Sequence, residues 1–239
     1  MDYPLNWLPA QEEANLAIIL ATAGFIAFWF TGQSERLLRR LVERLGPDRG
    51  QARHIFVKRI VGMAAFGVVP GLVLLGTQPY GWADYGVAAK FPAEALYWTL
   101  GLSAVLTFMT SRSTRQPDNL NQYPEIRATV WSRRLLVWSA LSWIGYLIAY
   151  ELLFRGFLLF SCARAFGAWP AIVINTAIYA LVHVPKGAKE GIGAIPLGLL
   201  LSIITFRTET IWVAMIVHFV LSLANEWYSI KYRPVQITR

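Results

Sequence analysis

Four ionisable side chains stand inside otherwise apolar stretches of this chain: Glu151, Arg155, His183 and His218. Placing such groups at membrane depth is costly, so by default they mark a site. Glu151 and Arg155 lie in Tyr150-Glu151-Leu152-Leu153-Phe154-Arg155-Gly156, a spacing that puts both on one helical face. His183 closes the apolar run Tyr179-Ala180-Leu181-Val182-His183-Val184-Pro185, where Tyr179 shares its face and Pro185 ends or kinks the helix. His218 falls near the middle of Thr210–Asn225, with Ser222 and Asn225 projecting to the same side.

A carboxylate or imidazole can take a proton from water while a second group holds the developing oxyanion. Glu151, His183 and His218 could form such a water-activating site, with Arg155, Tyr150, Tyr179, Ser222 and Asn225 supporting it. The same three residues are a possible zinc set, but their spacing is not His-Glu-x-x-His. An intramembrane imidazole can also be an axial ligand of a haem or chlorophyll-like tetrapyrrole. No cofactor is specified by any motif: there is no Gly-rich phosphate loop and no Gly-x-Ser-x-Gly elbow. Against all these readings stands a purely structural one, in which Glu151 and Arg155 neutralise each other and the histidines bond between helices.

The elements that must position these residues are membrane spans. Of 239 residues, 56% are hydrophobic and only 15% charged, against about 25% charged in a soluble domain. With a mean hydropathy of +0.44, this argues against a soluble enzyme or a disordered chain. The expected fold class is all-α, a polytopic transmembrane bundle of about seven or eight hydrophobic helices. Candidate spans are Ala14–Ser34, Ile60–Trp82, Ala95–Ser111, Leu135–Tyr150, Ala165–Val184, Gly191–Phe206 and Thr210–Asn225. Whether Glu151–Arg164 crosses the membrane or folds back is open. Ten Trp and ten Tyr supply interfacial belts.

The net charge of +8 is explained by basic cytoplasmic loops rather than by nucleic acid. Glu35–Arg59 and Arg112–Arg134 are rich in arginine, whereas Ala83–Glu94 between them is not. That alternation puts the first two loops inside and the N-terminus outside. The side of the C-terminus, with Lys231, Arg233 and Arg239, is undecided. Met1–Glu13 carries no basic residue and does not read as a signal peptide. Ser34–Leu45 is amphipathic, Leu37, Leu38, Leu41 and Leu45 opposing Arg36, Arg39, Arg40 and Arg44; it reads as a surface helix on the membrane or a solvated connector. The polar stretch Asp118–Pro124 separates an N-terminal three-span region, 1–120, from a core at 121–239. Cys162 is the lone cysteine, which excludes a disulfide framework and a Cys-based zinc cluster.

Taken in order, the polar residues resemble the CAAX protease and bacteriocin-processing (CPBP, or Abi) family of intramembrane proteases. That family has a Glu-Glu-x-x-x-Arg motif often continued as Phe-Arg-Gly, then Phe-x-x-x-His, then a late His-x-x-x-Asn-like motif. Tyr150 through Gly156, Tyr179 through His183 and His218 through Ser222 correspond to these. Gly193 through Gly198 and Thr208 through Trp212 resemble the family's glycine-spaced helix and Thr-containing turn. The resemblance covers about residues 135–226. It implies an endopeptidase acting on peptides or prenylated peptides, with the first glutamate activating water and the Asn supporting the oxyanion. Here Tyr150 stands in place of that glutamate and Ser222 in place of that Asn. Tyrosine, with an ordinary pKa of about 10, is a poor base at neutral pH.

Two readings follow. One is a non-catalytic member, a scaffold or accessory subunit whose partners are other membrane subunits within the lipid bilayer. The other is an active, atypical endopeptidase in which Glu151 or a histidine is the base. A pigment- or haem-binding subunit is a third. The expected location is an integral protein of a prokaryotic inner membrane.

Overall fold

The computed structural model describes residues 8–233 and 236–238. The remaining residues, which include most of the N-terminal segment read above and Arg239, lie outside that description. The architecture is an all-α polytopic bundle. Its helices are α1 (Pro9–Gly32), α2 (Glu35–Leu45), α3 (Pro47–Thr77), α4 (Ala93–Ser113), α5 (Pro117–Gln122), α6 (Arg133–Phe166), α7 (Ala168–Leu181), α8 (Ala188–Thr208) and α9 (Trp212–Tyr232). Six helical segments among the described residues are long and apolar enough to cross a membrane: those in α1, α3, α6, α7, α8 and α9. The expected span at Ala95–Ser111 forms the 21-residue α4 but is not among them.

Two spans are longer than their apolar runs suggest. α3 has 31 residues, about 46 Å at about 1.5 Å per residue, against a hydrocarbon core of about 30 Å. Its polar first turns project past the apolar part and pack along α2. Gly50 makes that approach possible, since a Cβ there would meet the Val42 backbone at 2.5 Å. Leu37, Leu38 and Leu41 of α2 are thereby half-buried against α3, while Leu45 and the arginines stay exposed. α6, at 34 residues, is continuous through Glu151–Arg164, which decides that segment's course. Gly167, with φ +86°, breaks it from α7, so the helix expected from Ala165 begins at Ala168 instead.

Both long helices contain a π-helical segment, Ala64–Val68 in α3 and Leu152–Leu158 in α6. In α3 the cause is local: Pro70 has no N–H to donate back into the preceding turn. In α6 the widened turn is held from outside. Asn175 of α7 donates to the Phe154 carbonyl, which also accepts from the Leu159 N–H.

Polar contacts sort the helix ends into two groups. At one end Glu13 accepts from Tyr85 (2.7 Å), Ser161 (2.9 Å) and Arg164, and the Ile211 N–H donates to the Gly86 carbonyl. At the other, Asp48 accepts from the Thr129 and Val130 backbone. There Val130–Ser132 (β1) pairs in parallel with Gln236–Thr238 (β2). This ladder settles what charge counting left open: the C-terminal strand lies at the same end as the basic loops.

Candidate functional site

The residues singled out in the sequence meet where α6, α7 and α9 converge. Glu151 and Arg155 are fully buried. Glu151 Oε2 lies 3.6 Å from Arg155 Nε, and its Oε1 lies 2.6 Å from Nδ1 of His218 on α9. The pairing with Arg155 expected from the spacing is present, but the shorter bond goes to His218. A carboxylate accepts only, so Nδ1–H of His218 donates and, in the neutral ring, Nε2 carries the lone pair. His183 is fixed in the same way: its Nδ1–H donates to the Tyr179 carbonyl at 2.7 Å.

Tyr150 packs against the two histidines. Its ring is 5% exposed. It stands edge-on to His183 (6.3 Å) and to His218 (5.4 Å), and packs on Phe154 (4.6 Å) and Tyr179 (6.0 Å). Its hydroxyl is buried with no hydrogen-bond partner. Tyr179 lies under the Arg155 guanidinium, 4.2 Å from the ring centroid. Gly198 of α8 allows this, because a Cβ there would come 2.9 Å from the Tyr179 ring. Three Arg155 nitrogens and Glu151 Oε2 have no hydrogen-bond partner among the described residues.

Ser222 is buried and Asn225 half-buried on α9, but no hydrogen bond joins either to the cluster among the described residues. Nor do these side chains fit the groups considered from the sequence. Among the described residues no set of three or more His, Cys, Asp or Glu side chains is arranged to hold a metal. A tetrapyrrole needs a flat opening beside its ligating imidazole, whereas aromatic rings stand against both histidines.

Sequence reasoning missed a second polar cluster on the basic-end side. Arg59 of α3, 1% exposed, donates to Glu125, to the Ser139 carbonyl and to Ser142, and its guanidinium lies 4.2 Å from the Trp143 ring centroid. Glu226, one residue past the span expected to end at Asn225, accepts from Ser139 and from the Glu125 N–H. Burial alone would raise the Glu125 carboxyl, but Lys58 and Arg59 beside it hold it well below the usual carboxylate range. The missed signal was an arginine and a glutamate each just beyond an apolar run. A cavity of about 220 Å³ opens between this cluster and the aromatic face of α1.

The fold and this constellation define a polytopic helical membrane protein with a buried Glu–Arg pair beside two half-buried histidines. Residues 132–224 match the family model described as Type II CAAX prenyl endopeptidase Rce1-like. Over that segment the chain is similar to CAAX-protease-like membrane proteins of the CPBP family, and the matched residues take in all three motif stretches. No curated protein and no solved structure matches the chain.

Proposed function

We propose that this protein keeps the family's helical core without its hydrolytic step and serves as a scaffold or accessory subunit of a membrane complex. The observation that carries this reading is the placement of Tyr150. Its ring packs edge-on against both His183 and His218, at the motif position where the family resemblance implies a water-activating carboxylate. Glu151, one residue on, is fully buried and bonded to His218 rather than offered to a substrate. The residues retained, Phe154, Arg155 and Gly156, are those that pack the π-helical turn.

A second reading has one observation in its favour. The 2.6 Å contact of Glu151 with His218 Nδ1 orients an imidazole whose Nε2 could serve as base. An atypical endopeptidase acting on peptides or prenylated peptides would then depend on Glu151 and His218. Cleavage of a model peptide in proteoliposomes separates the two. Under the scaffold reading wild type is inactive and Tyr150→Glu alone restores turnover. If wild type cleaves and Glu151→Gln abolishes it, the protein is an enzyme. Affinity purification in mild detergent tests the scaffold role itself, since a stoichiometric membrane partner is expected.

We also infer the orientation. The basic end faces the cytoplasm of a prokaryotic inner membrane and the N-terminus lies outside. Support comes from charge: α2, the start of α3 and the stretch from the end of α4 to the start of α6 (112–134) carry most of the arginines, while Glu12, Glu13, Asp84, Glu94 and Glu209 cluster at the other end. We take 121–239 as the family core and 1–120 as an added region that contributes the spans α1 and α3, because the family match falls wholly within the former.

A further inference from the structure

The cavity beside the Arg59 cluster is amphipathic along the membrane normal. One wall is the aromatic face of α1, Phe25, Phe28 and Trp29, opposed by Trp143 and Tyr146 of α6. Its basic-end rim carries Lys58, Arg59, Arg127 and Lys186 against one lining carboxylate, Glu125. These cations sit where the apolar helices end: Trp29 is three residues from the end of α1, and Lys186 closes the short turn Val184–Lys186 that comes after α7. The ends of apolar spans are where aromatic and basic side chains usually meet lipid headgroups.

The cations are not equally committed. Lys58 is bonded to Glu125 at 2.5 Å, Arg59 is bonded throughout, and Arg127 donates to the Leu120 and Asn121 carbonyls. Lys186 differs. Its ammonium has a long contact to the Tyr123 hydroxyl (3.3 Å) and lies 3.8 Å from Glu190, with its side chain 37% exposed. Three N–H donors with one long bond leave capacity for a further acceptor. Even with Glu190 and Glu226 counted beside Glu125, cations outnumber carboxylates around the cavity.

We propose that this cavity binds a phosphate monoanion, carried by the headgroup of an acidic membrane lipid. Lys186 supplies the open ammonium, and the Phe25–Trp29 face of α1 receives the start of the acyl chain. The inference does not depend on whether the Glu151–His218 site hydrolyses anything.

The test is native mass spectrometry of the full chain in mild detergent, equilibrated with equal amounts of phosphatidylglycerol and phosphatidylcholine. Both lipids carry the phosphate, but the choline cation of phosphatidylcholine meets the basic rim, so phosphatidylglycerol should be retained about tenfold over it. Lys186→Gln should bring the two lipids to near parity, and Lys186→Arg should restore the preference. An unchanged unfolding temperature for Lys186→Gln would show that its loss is not misfolding. Displacement of the lipid by inorganic phosphate would support the anion site while assigning it to free phosphate. Equal retention of both lipids by wild type, or full preference in a folded Lys186→Gln variant, would overturn the proposal.

Discussion

Two arginines are buried in this bundle, each with its guanidinium 4.2 Å from an aromatic ring centroid, yet they are bonded in opposite ways. Arg59 donates to a carboxylate, a backbone carbonyl and two serine hydroxyls, so it joins α3 to α6 and the Glu125 segment. Arg155 makes no hydrogen bond among the described residues and is held by the Glu151 charge at 3.6 Å and the face of Tyr179. A closed polar network is a structural joint, whereas an open one is what remains of, or what awaits, a chemical role. The arginine that the motif marks is the open one.

That contrast can be broken by mutation, and the largest effect is expected at the closed network. Arg59→Ala leaves Glu125 and Glu226 buried without their cation and should cost about 3–5 kcal/mol, read as a large fall in unfolding temperature in detergent. A loss no greater than that of Arg155→Met would remove the distinction. Next comes Asn175→Ala, which takes away the donor to the Phe154 carbonyl and should cost about 1–3 kcal/mol. Hydrogen exchange should rise locally around the π-helical turn rather than throughout α6.

Replacing Glu151 and Arg155 together by leucine should change stability by less than about 2 kcal/mol in either direction, because a buried pair whose arginine makes no hydrogen bond gives little over a packed apolar one, and the half-buried His218 that loses its acceptor can turn to water. A collapse of the fold would mean that the pair is the joint and Arg59 is not.

Acid sharpens the comparison further. The folded Glu125 carboxyl is depressed, so its stabilisation is complete above the ordinary carboxylate pKa of about 4.3 and disappears only as pH falls through the lower folded value. The stability gap between wild type and Glu125→Gln should therefore be flat from neutral pH down to about 5 and shrink only below the ordinary range. A gap that closes near neutrality would contradict the ion pairs with Lys58 and Arg59. The smallest effect belongs to the exposed pair of Lys90 and Glu209, 2.8 Å apart. Lys90→Ala should shift the unfolding temperature less than any of the variants above, and less still in high salt.

Much of the site was legible because membrane sequences advertise their polar exceptions. Glu151, Arg155, His183 and His218 were visible against apolar neighbours, and Tyr150 and Ser222 were visible as departures within motifs. The Arg59 cluster was not, since each of its members borders a charged loop where one more charge carries no signal. Its meaning depends on α3, α6 and α9 coming together at one level.

What the sequence determined by itself was the class: uncharged runs of span length force helices, because backbone groups in lipid must bond internally. The motif order fixed the kinship that the match over residues 132–224 bears out. Tertiary structure alone decided three things. It brought Glu151 to His218 as well as Arg155, just before a π-helical turn that Asn175 secures from another helix. It closed Arg59 into a network with residues 66 and 80 positions away in the chain. It brought the C-terminal strand back to the basic end, where β1 supplies hydrogen bonds that a short tail cannot make alone.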